Sequence, residues 1–192
     1  ELVINFYNER RKQLLDVVPN AGHLGVADLE RDFNVTVVTQ NVDNLHERAG
    51  STHVIHLHGE LTKVCSSRDP YNPHFVKELA PEEYEVKLGD KAGDGTQLRP
   101  FIVWFGESVP EIETAIRYVE QADIFVIIGT SLNVYPAAGL LNYVPRAAEV
   151  YLIDPKPVDT HVMRPIHVIQ KGASEGVKEL KALLTVTQPP LP

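Results

Sequence analysis

Between Thr39 and Glu60 the chain reads TQNVDNLHERAGSTHVIHLHGE, placing Gln40, Asn41, Asp43, His46, His56 and His58 directly after the β-branched run Val35-Thr36-Val37-Val38-Thr39. An imidazole titrates near neutral pH and can take a proton from an attacking hydroxyl, so His58 is a candidate general base for acyl transfer. A hydrogen-bonded surface histidine is the competing account. Asn41 and Asp43 lie two apart and share a face if the chain stays extended, where a carboxamide and a carboxylate complement a primary amide ligand. Asp43 is equally a good N-cap for a helix over Asn44 to Arg48. His56 faces the same way as His58 in an extended strand and is expected to be structural.

Four further groups carry chemistry. Gly129, Thr130 and Ser131 follow the apolar run Ile124 to Ile128, which is expected to be a central buried strand. The turn is either an ordinary tight turn or a place where backbone and hydroxyls meet a ligand. Tyr151-Leu152-Ile153-Asp154 likewise ends in an acid able to accept bonds from hydroxyls. Val103, Trp104, Phe105, Gly106 and Glu107 offer an apolar wall and backbone groups to an extended peptide, with one aromatic expected to belong to the core. Tyr7 and Arg10, three apart on a helix, place a phenol and a guanidinium on one face, and such a pair can grip a carboxylate.

The elements that would hold these groups alternate. A helical start is followed by a strand at 35 to 39, a short helix near 43 to 48 and strands near 53 to 57, 101 to 104, 123 to 128, 149 to 153 and 166 to 169. Helices lie between them, one begun by Pro110 with Ile112, Ala115, Ile116 and Val119 at helical spacing, and one opened by Pro136. Ser174 to Leu184 closes the order. Open α/β sheets hold ligands at the carboxyl ends of their strands, which is where the polar residues gather.

The ordered motifs QNVDNLH with HG at His58, FIVWFGE at Phe101 to Glu107, and GTSLNVYPAAG at Gly129 to Gly139 closely resemble those of the sirtuin family, and nearly the whole chain can be laid on it. The resemblance implies a Rossmann-like, doubly wound parallel α/β sheet with a small inserted module. Its expected limits are residues 1–59 and 100–184 for the main domain, with 1–18 helical beside the acyl site, 60–99 for the insert and 185–192 for a flexible tail. It further implies an NAD-dependent protein-lysine deacylase in which NAD is consumed and nicotinamide and O-acyl-ADP-ribose are formed. His58 would be the base. Gln40 and Asn41 would line the ribose and nicotinamide region, Asp43 would recognise the carboxamide, and Gly129, Thr130, Ser131 and Asp154 would meet the nucleotide. The family more often has Asn at the position of Asp154.

Tyr7 and Arg10, ahead of the PNAGH segment, resemble the Y-x-x-R pair of the CobB-like, sirtuin-five-like subgroup that removes succinyl, malonyl and related acidic groups. The implied partners are therefore acyl-lysine proteins or peptides, with acetyl-lysine also accepted. An NAD-dependent ADP-ribosyltransferase and a catalytically weak NAD-binding module are the alternatives.

Most of the family holds a structural zinc on two cysteine pairs, whereas this chain has one cysteine, Cys65. A four-cysteine site is impossible, so zinc is not expected, and the insert is expected to be held by Tyr71, Phe75, Leu79, Tyr84 and Leu88 instead. The chain opens at Glu1 without a starting Met; the family's glycine-rich diphosphate loop and arginine-bearing cofactor loop are expected to belong to a segment outside it.

Composition fits this reading. With 192 residues and 43% hydrophobic content the chain can bury a core. No apolar run approaches the roughly 20 residues of a membrane helix, and no basic-then-apolar leader opens it. A net charge of −8 argues against generic nucleic-acid affinity. A cytoplasmic location is expected, without membrane or nucleic-acid partners.

Overall fold

The computed structural model describes residues 1–130, 137–157 and 164–187. The chain divides into two compact units. The first comprises Glu1–Val18, Val38–Leu45 and His56–Glu111, and the second Pro19–Val37, His46–Ile55 and Ile112–Pro192. Among the described residues, no helix is long and apolar enough to cross a membrane.

In the first unit, α1 (Leu2–Asp16) buries Ile4, Arg11 and Leu14 and leaves most of its other positions open. Ile4 packs with Val64 and Val86, flanked by Leu79 and Leu98. The helix is also fixed by polar contacts that its weak apolar stripe does not announce. Asn8 Nδ2 donates to the Val86 carbonyl at 2.8 Å while Asn8 Oδ1 accepts from the Val86 N–H at 3.0 Å, in the manner of a neighbouring strand. Arg11, 3% exposed, donates through Nε to the Tyr84 carbonyl at 2.7 Å. Burial holds its guanidinium below the usual arginine range.

An antiparallel sheet forms the rest of this unit: β3 (Gly59–Ser66) lies between β4 (Lys77–Glu78) and β5 (Leu98–Ile102). The segment near 101 to 104 therefore belongs to an antiparallel strand that begins earlier and ends at Ile102, rather than to a parallel one. β3 itself was not expected from the sequence. Its register shifts between Gly59 and Val64, so the alternation of inward residues is broken where a period of two would have revealed it. Of the five residues expected to hold the insert, Leu79 joins the Ile4 cluster, and Tyr71 meets Phe101 edge-on at 6.4 Å. Leu88 is 68% exposed and holds nothing, since its turn is closed instead by Asp90 and Gln97.

The second unit carries the parallel sheet, β6 (Ile124–Ile128), β7 (Glu149–Ile153) and β8 (His167–Ile169), in that order. Here β7 is the central, buried strand. Ile124 to Ile128 was expected to be central; among the described residues it is the edge of this sheet, and only Ile127 is fully buried. α2 (Ala21–Asp28) and α5 (Ala173–Thr187) supply Val26, Val177, Leu180 and Leu184 to a core with Tyr151, Ile153 and Ile169. α2 starts from a capping box in which Asn20 and His23 satisfy one another's backbone amides. α5 runs past Leu184 to Thr187, into the expected tail, and the Thr185 hydroxyl donates back to the Lys181 carbonyl at 2.7 Å. α4 (Ile112–Val119) buries Ala115 and Val119. The helix expected from Pro136 falls partly outside the described residues, and Ala137–Tyr143 is a 3₁₀ helix.

Two short strands, β1 (Val37–Thr39) and β2 (Val54–His56), pair with each other. Val37 N–H donates to the His53 carbonyl and Leu57 N–H to the Thr39 carbonyl, an advancing register that makes the pair parallel. α3 (Leu45–Ala49) connects them.

Candidate active site

β1 ends at Thr39, and the Thr39 hydroxyl takes the Asn41 N–H at 3.0 Å, so the QN pair begins a turn rather than continuing the strand. Asn41 and Asp43 consequently lie beyond the end of β1. The half-buried His58 reaches back to this turn, its Nδ1 3.1 Å from the Gln40 carbonyl oxygen. A carbonyl only accepts, so Nδ1 carries the proton and Nε2 keeps its lone pair. That is the tautomer a base needs. His56 makes the neighbouring contact, Nδ1 to the Asn41 carbonyl at 3.3 Å, and is 9% exposed, in keeping with a structural role.

Gly59 explains why a glycine must follow the histidine. Its φ is +83°, and a Cβ there would lie 2.1 Å from the Phe101 carbonyl oxygen. The close approach brings β5 against the turn, and the Val103 N–H donates to the His58 carbonyl at 2.9 Å. His58 is thus fixed through both its ring and its backbone. Asp43 uses Oδ1 to accept the Leu45 N–H at 3.1 Å and so caps α3, leaving the other oxygen as an acceptor for a ligand.

The VWFGE segment forms a turn clamped by an arginine. Arg99 Nη1 and Nη2 meet Glu107 Oε1 and Oε2 at 2.8 and 3.0 Å, and Nη2 also reaches the Ile102 carbonyl at 2.8 Å. The hydrogen bond from Arg99 holds the Glu107 carboxyl below the usual range; burial works against the Arg99 charge, but Glu107 outweighs it and holds the guanidinium above its ordinary value. The guanidinium lies over the Trp104 ring, 3.6 Å from its centre. Trp104 N–H donates to Glu107 Oε2 at 2.9 Å, and its indole N–H donates to the Tyr7 hydroxyl at 3.0 Å. Trp104 is the half-buried aromatic of the pair, and Phe105 stands fully exposed beside Gly106, whose φ is +90°. Because the amides of Val103 and Trp104 are used internally, an added peptide strand cannot take its bonds from them.

Tyr7 and Arg10 are not joined to each other. Arg10 is exposed, donates to Gln13 Oε1 at 3.1 Å and stacks over Phe6 at 5.1 Å.

The residues expected to meet the nucleotide belong to the second unit. Gly129 has φ +62° and open space where a Cβ would project, but its N–H already donates to the Ile153 carbonyl at 2.9 Å. The turn therefore offers room at Gly129 rather than its amide. Ser131 lies outside the described residues. Asp154, half-buried at the carboxyl end of β7, accepts the Lys156 N–H on Oδ1 at 2.8 Å. One carboxylate oxygen is left for a hydroxyl.

The residues in the insert do not fit the family's zinc. Cys65 is fully buried, its thiol bonds the Pro100 carbonyl at 3.7 Å, and burial pushes the thiol up to about 11. Among the described residues no three His, Cys, Asp or Glu side chains gather as a metal site. A hydrogen-bonded knot stands nearby instead. The buried Ser66 hydroxyl meets Asp94 Oδ2 at 2.7 Å and Thr96 Oγ1 at 2.9 Å and accepts the amides of Arg68 and Asp69. Bonds from Ser66 and then Thr96 bring the Asp94 carboxyl down to about 2.

Arg99, Asn8 and Arg11 were not singled out from the sequence. Arg99 precedes a proline eight residues before its partner Glu107, and neither helical nor strand spacing links them.

Residues 2–136 match the model of the Sir2 family. The chain is 84% identical over 183 residues to an NAD-dependent protein deacylase of Bacteroides thetaiotaomicron, covering 95% of this chain and 78% of that protein. It is 47% identical over 178 residues to an NAD-dependent protein deacylase of Helicobacter pylori, covering 93% and 75%. A crystal structure of a Sir2 homologue–NAD complex superposes with a TM-score of 0.82 at 34% identity, over 95% of this chain and 71% of that one. The chain belongs to the Sir2 family.

Proposed function

We propose that this chain is an NAD-dependent protein-lysine deacylase that releases nicotinamide and O-acyl-ADP-ribose. NAD, the co-substrate, supplies an activated bond to nicotinamide. The single observation that carries the assignment in this chain is the His58 ring, anchored through Nδ1 to the Gln40 carbonyl so that Nε2 is the nitrogen able to take a proton. His58 draws that proton from a ribose hydroxyl as the hydroxyl attacks the acyl carbon. Asp43, with one oxygen on α3, offers the other to the nicotinamide amide, beside Gln40 and Asn41. The open space at Gly129 receives the nucleotide, with Thr130, Ser131 and Asp154 assigned to the same group.

Acidic acyl groups, succinyl and malonyl, are the preferred substrates in this proposal, with acetyl-lysine also accepted. The support is the Tyr7 hydroxyl and the exposed Arg10 guanidinium one helical turn apart, which together match a carboxylate. The Val103 to Glu107 turn forms the peptide side, and Phe105 is its exposed apolar contact. A cytoplasmic location belongs to the same proposal, supported by a single buried cysteine.

Matched succinyl-lysine and acetyl-lysine peptides test the substrate class. The full-length protein should desuccinylate with the higher kcat/KM, and Arg10→Met should cost desuccinylation far more than deacetylation. Equal losses on both peptides would overturn the acid-acyl assignment. Transfer of ADP-ribose to the acceptor, with no acyl group lost, would favour the ADP-ribosyltransferase alternative.

A further inference from the structure

We propose that Trp104 is a specificity-positioning residue whose indole N–H commits the Tyr7 hydroxyl to donate its proton to the carboxylate of an acidic acyl group. The inference rests on the acid-acyl assignment above.

An indole nitrogen donates and cannot accept, so at 3.0 Å the Tyr7 oxygen must be the acceptor of the Trp104 bond. A phenol that accepts in this way still has its own proton to give. A carboxylate takes such a proton, and the methyl end of an acetyl group cannot. The contact therefore discriminates between acyl groups by orienting one O–H bond, without adding a charge.

The indole can do this because it is held on two further sides. Its ring lies against the Arg99 guanidinium, and its backbone N–H is given to Glu107, the same carboxylate that Arg99 grips with two bonds. The Arg99 and Glu107 side chains are 11% and 28% exposed, so the pair is shielded from competing water. Arg10, which lies over Phe6, contributes the positive charge. Tyr7 contributes direction, and Trp104 sets it.

The test measures kcat/KM for succinyl-lysine and acetyl-lysine peptides in the full-length protein and in Tyr7→Phe, Trp104→Phe and the double variant. Trp104→Phe keeps an aromatic face under Arg99 and removes the N–H. It should lower the succinyl-to-acetyl ratio about fivefold, the loss expected for one hydrogen bond, mainly through KM for the succinyl peptide. In the Tyr7→Phe background the same substitution should lower the ratio no further. Equal loss on both peptides, or an additional loss in the double variant, would overturn the proposal and leave Trp104 as packing. Arg99→Lys gives an independent readout: it keeps the charge, loses the two-pronged bond, and should lower the ratio in the same direction, whereas an unchanged ratio contradicts the proposal. If Arg10→Met and Tyr7→Phe abolish acid selectivity while Trp104→Phe retains it, the acid-acyl assignment stands and the Trp104 proposal falls. If the unmodified protein shows no succinyl preference, both fall.

Discussion

His58 Nδ1 lies 3.1 Å from the backbone carbonyl of Gln40, so the turn after β1 selects which imidazole nitrogen keeps its lone pair. The selection depends on backbone position, which ties His58 to the path of residues 39 to 41. His58→Tyr should therefore lower acyl-lysine turnover at least about a hundredfold, the usual minimum for a positioned general base. Steady-state assays check this; a variant with near-normal turnover would refute the role.

Gly59→Ala should be far more harmful than its size suggests. The new Cβ meets the Phe101 carbonyl at 2.1 Å, and φ is positive, so β5 must shift or the turn must reform. A loss of about 3 kcal/mol is expected, together with reduced turnover because the same contact places His58. Denaturant melts and rate measurements check both effects, and a stable variant with full activity would show that the turn is not constrained in this way.

Asp94 gives the insert an acid-sensitive fastening. Ser66 and Thr96 hold its carboxyl at about 2, below its ordinary value of 3.8, so the charged form is favoured by folding. Its contribution is fully present above about pH 4 and disappears as pH falls toward 2. Asp94→Asn should be less stable at neutral pH and lose less of its stability over that acid range. Thermal melts at a series of pH values decide it, since parallel curves for the two proteins would rule out the fastening.

Cys65 should behave as a buried thiol rather than a metal ligand or nucleophile. Alkylation of the native protein near pH 8 is expected to be roughly a hundredfold slower than after unfolding, because both burial and the raised thiol value suppress thiolate. A chelator should leave the melting temperature unchanged. Stoichiometric metal lost together with stability would contradict the mismatch between the insert and zinc.

Much of the candidate site was legible because its residue types lie together in sequence. QNVD, HG and FGE each name their chemistry, and β7 and β8 fall within one residue of their expected limits. What could not be read depends on partners distant in the chain. The Arg99 clamp needs the turn after β5 before its geometry exists, and Trp104 meets Tyr7 across 97 positions. Asn8 and Arg11 look like solvated helix positions until Tyr84 and Val86 arrive beside them. β3 was hidden by its own register shift. The apolar run at β6 suggested a central strand, yet hydrophobicity alone does not say which neighbour pairs with it, and β7 takes the centre of the described sheet.

Product analysis tests the central claim most directly. The full-length protein is incubated with NAD and succinyl-lysine or acetyl-lysine peptide, and every product is followed by mass spectrometry. The account predicts nicotinamide, deacylated peptide and O-acyl-ADP-ribose in equal amounts. Peptide that keeps its acyl group and gains ADP-ribose, or an absence of nicotinamide with either peptide, would contradict it.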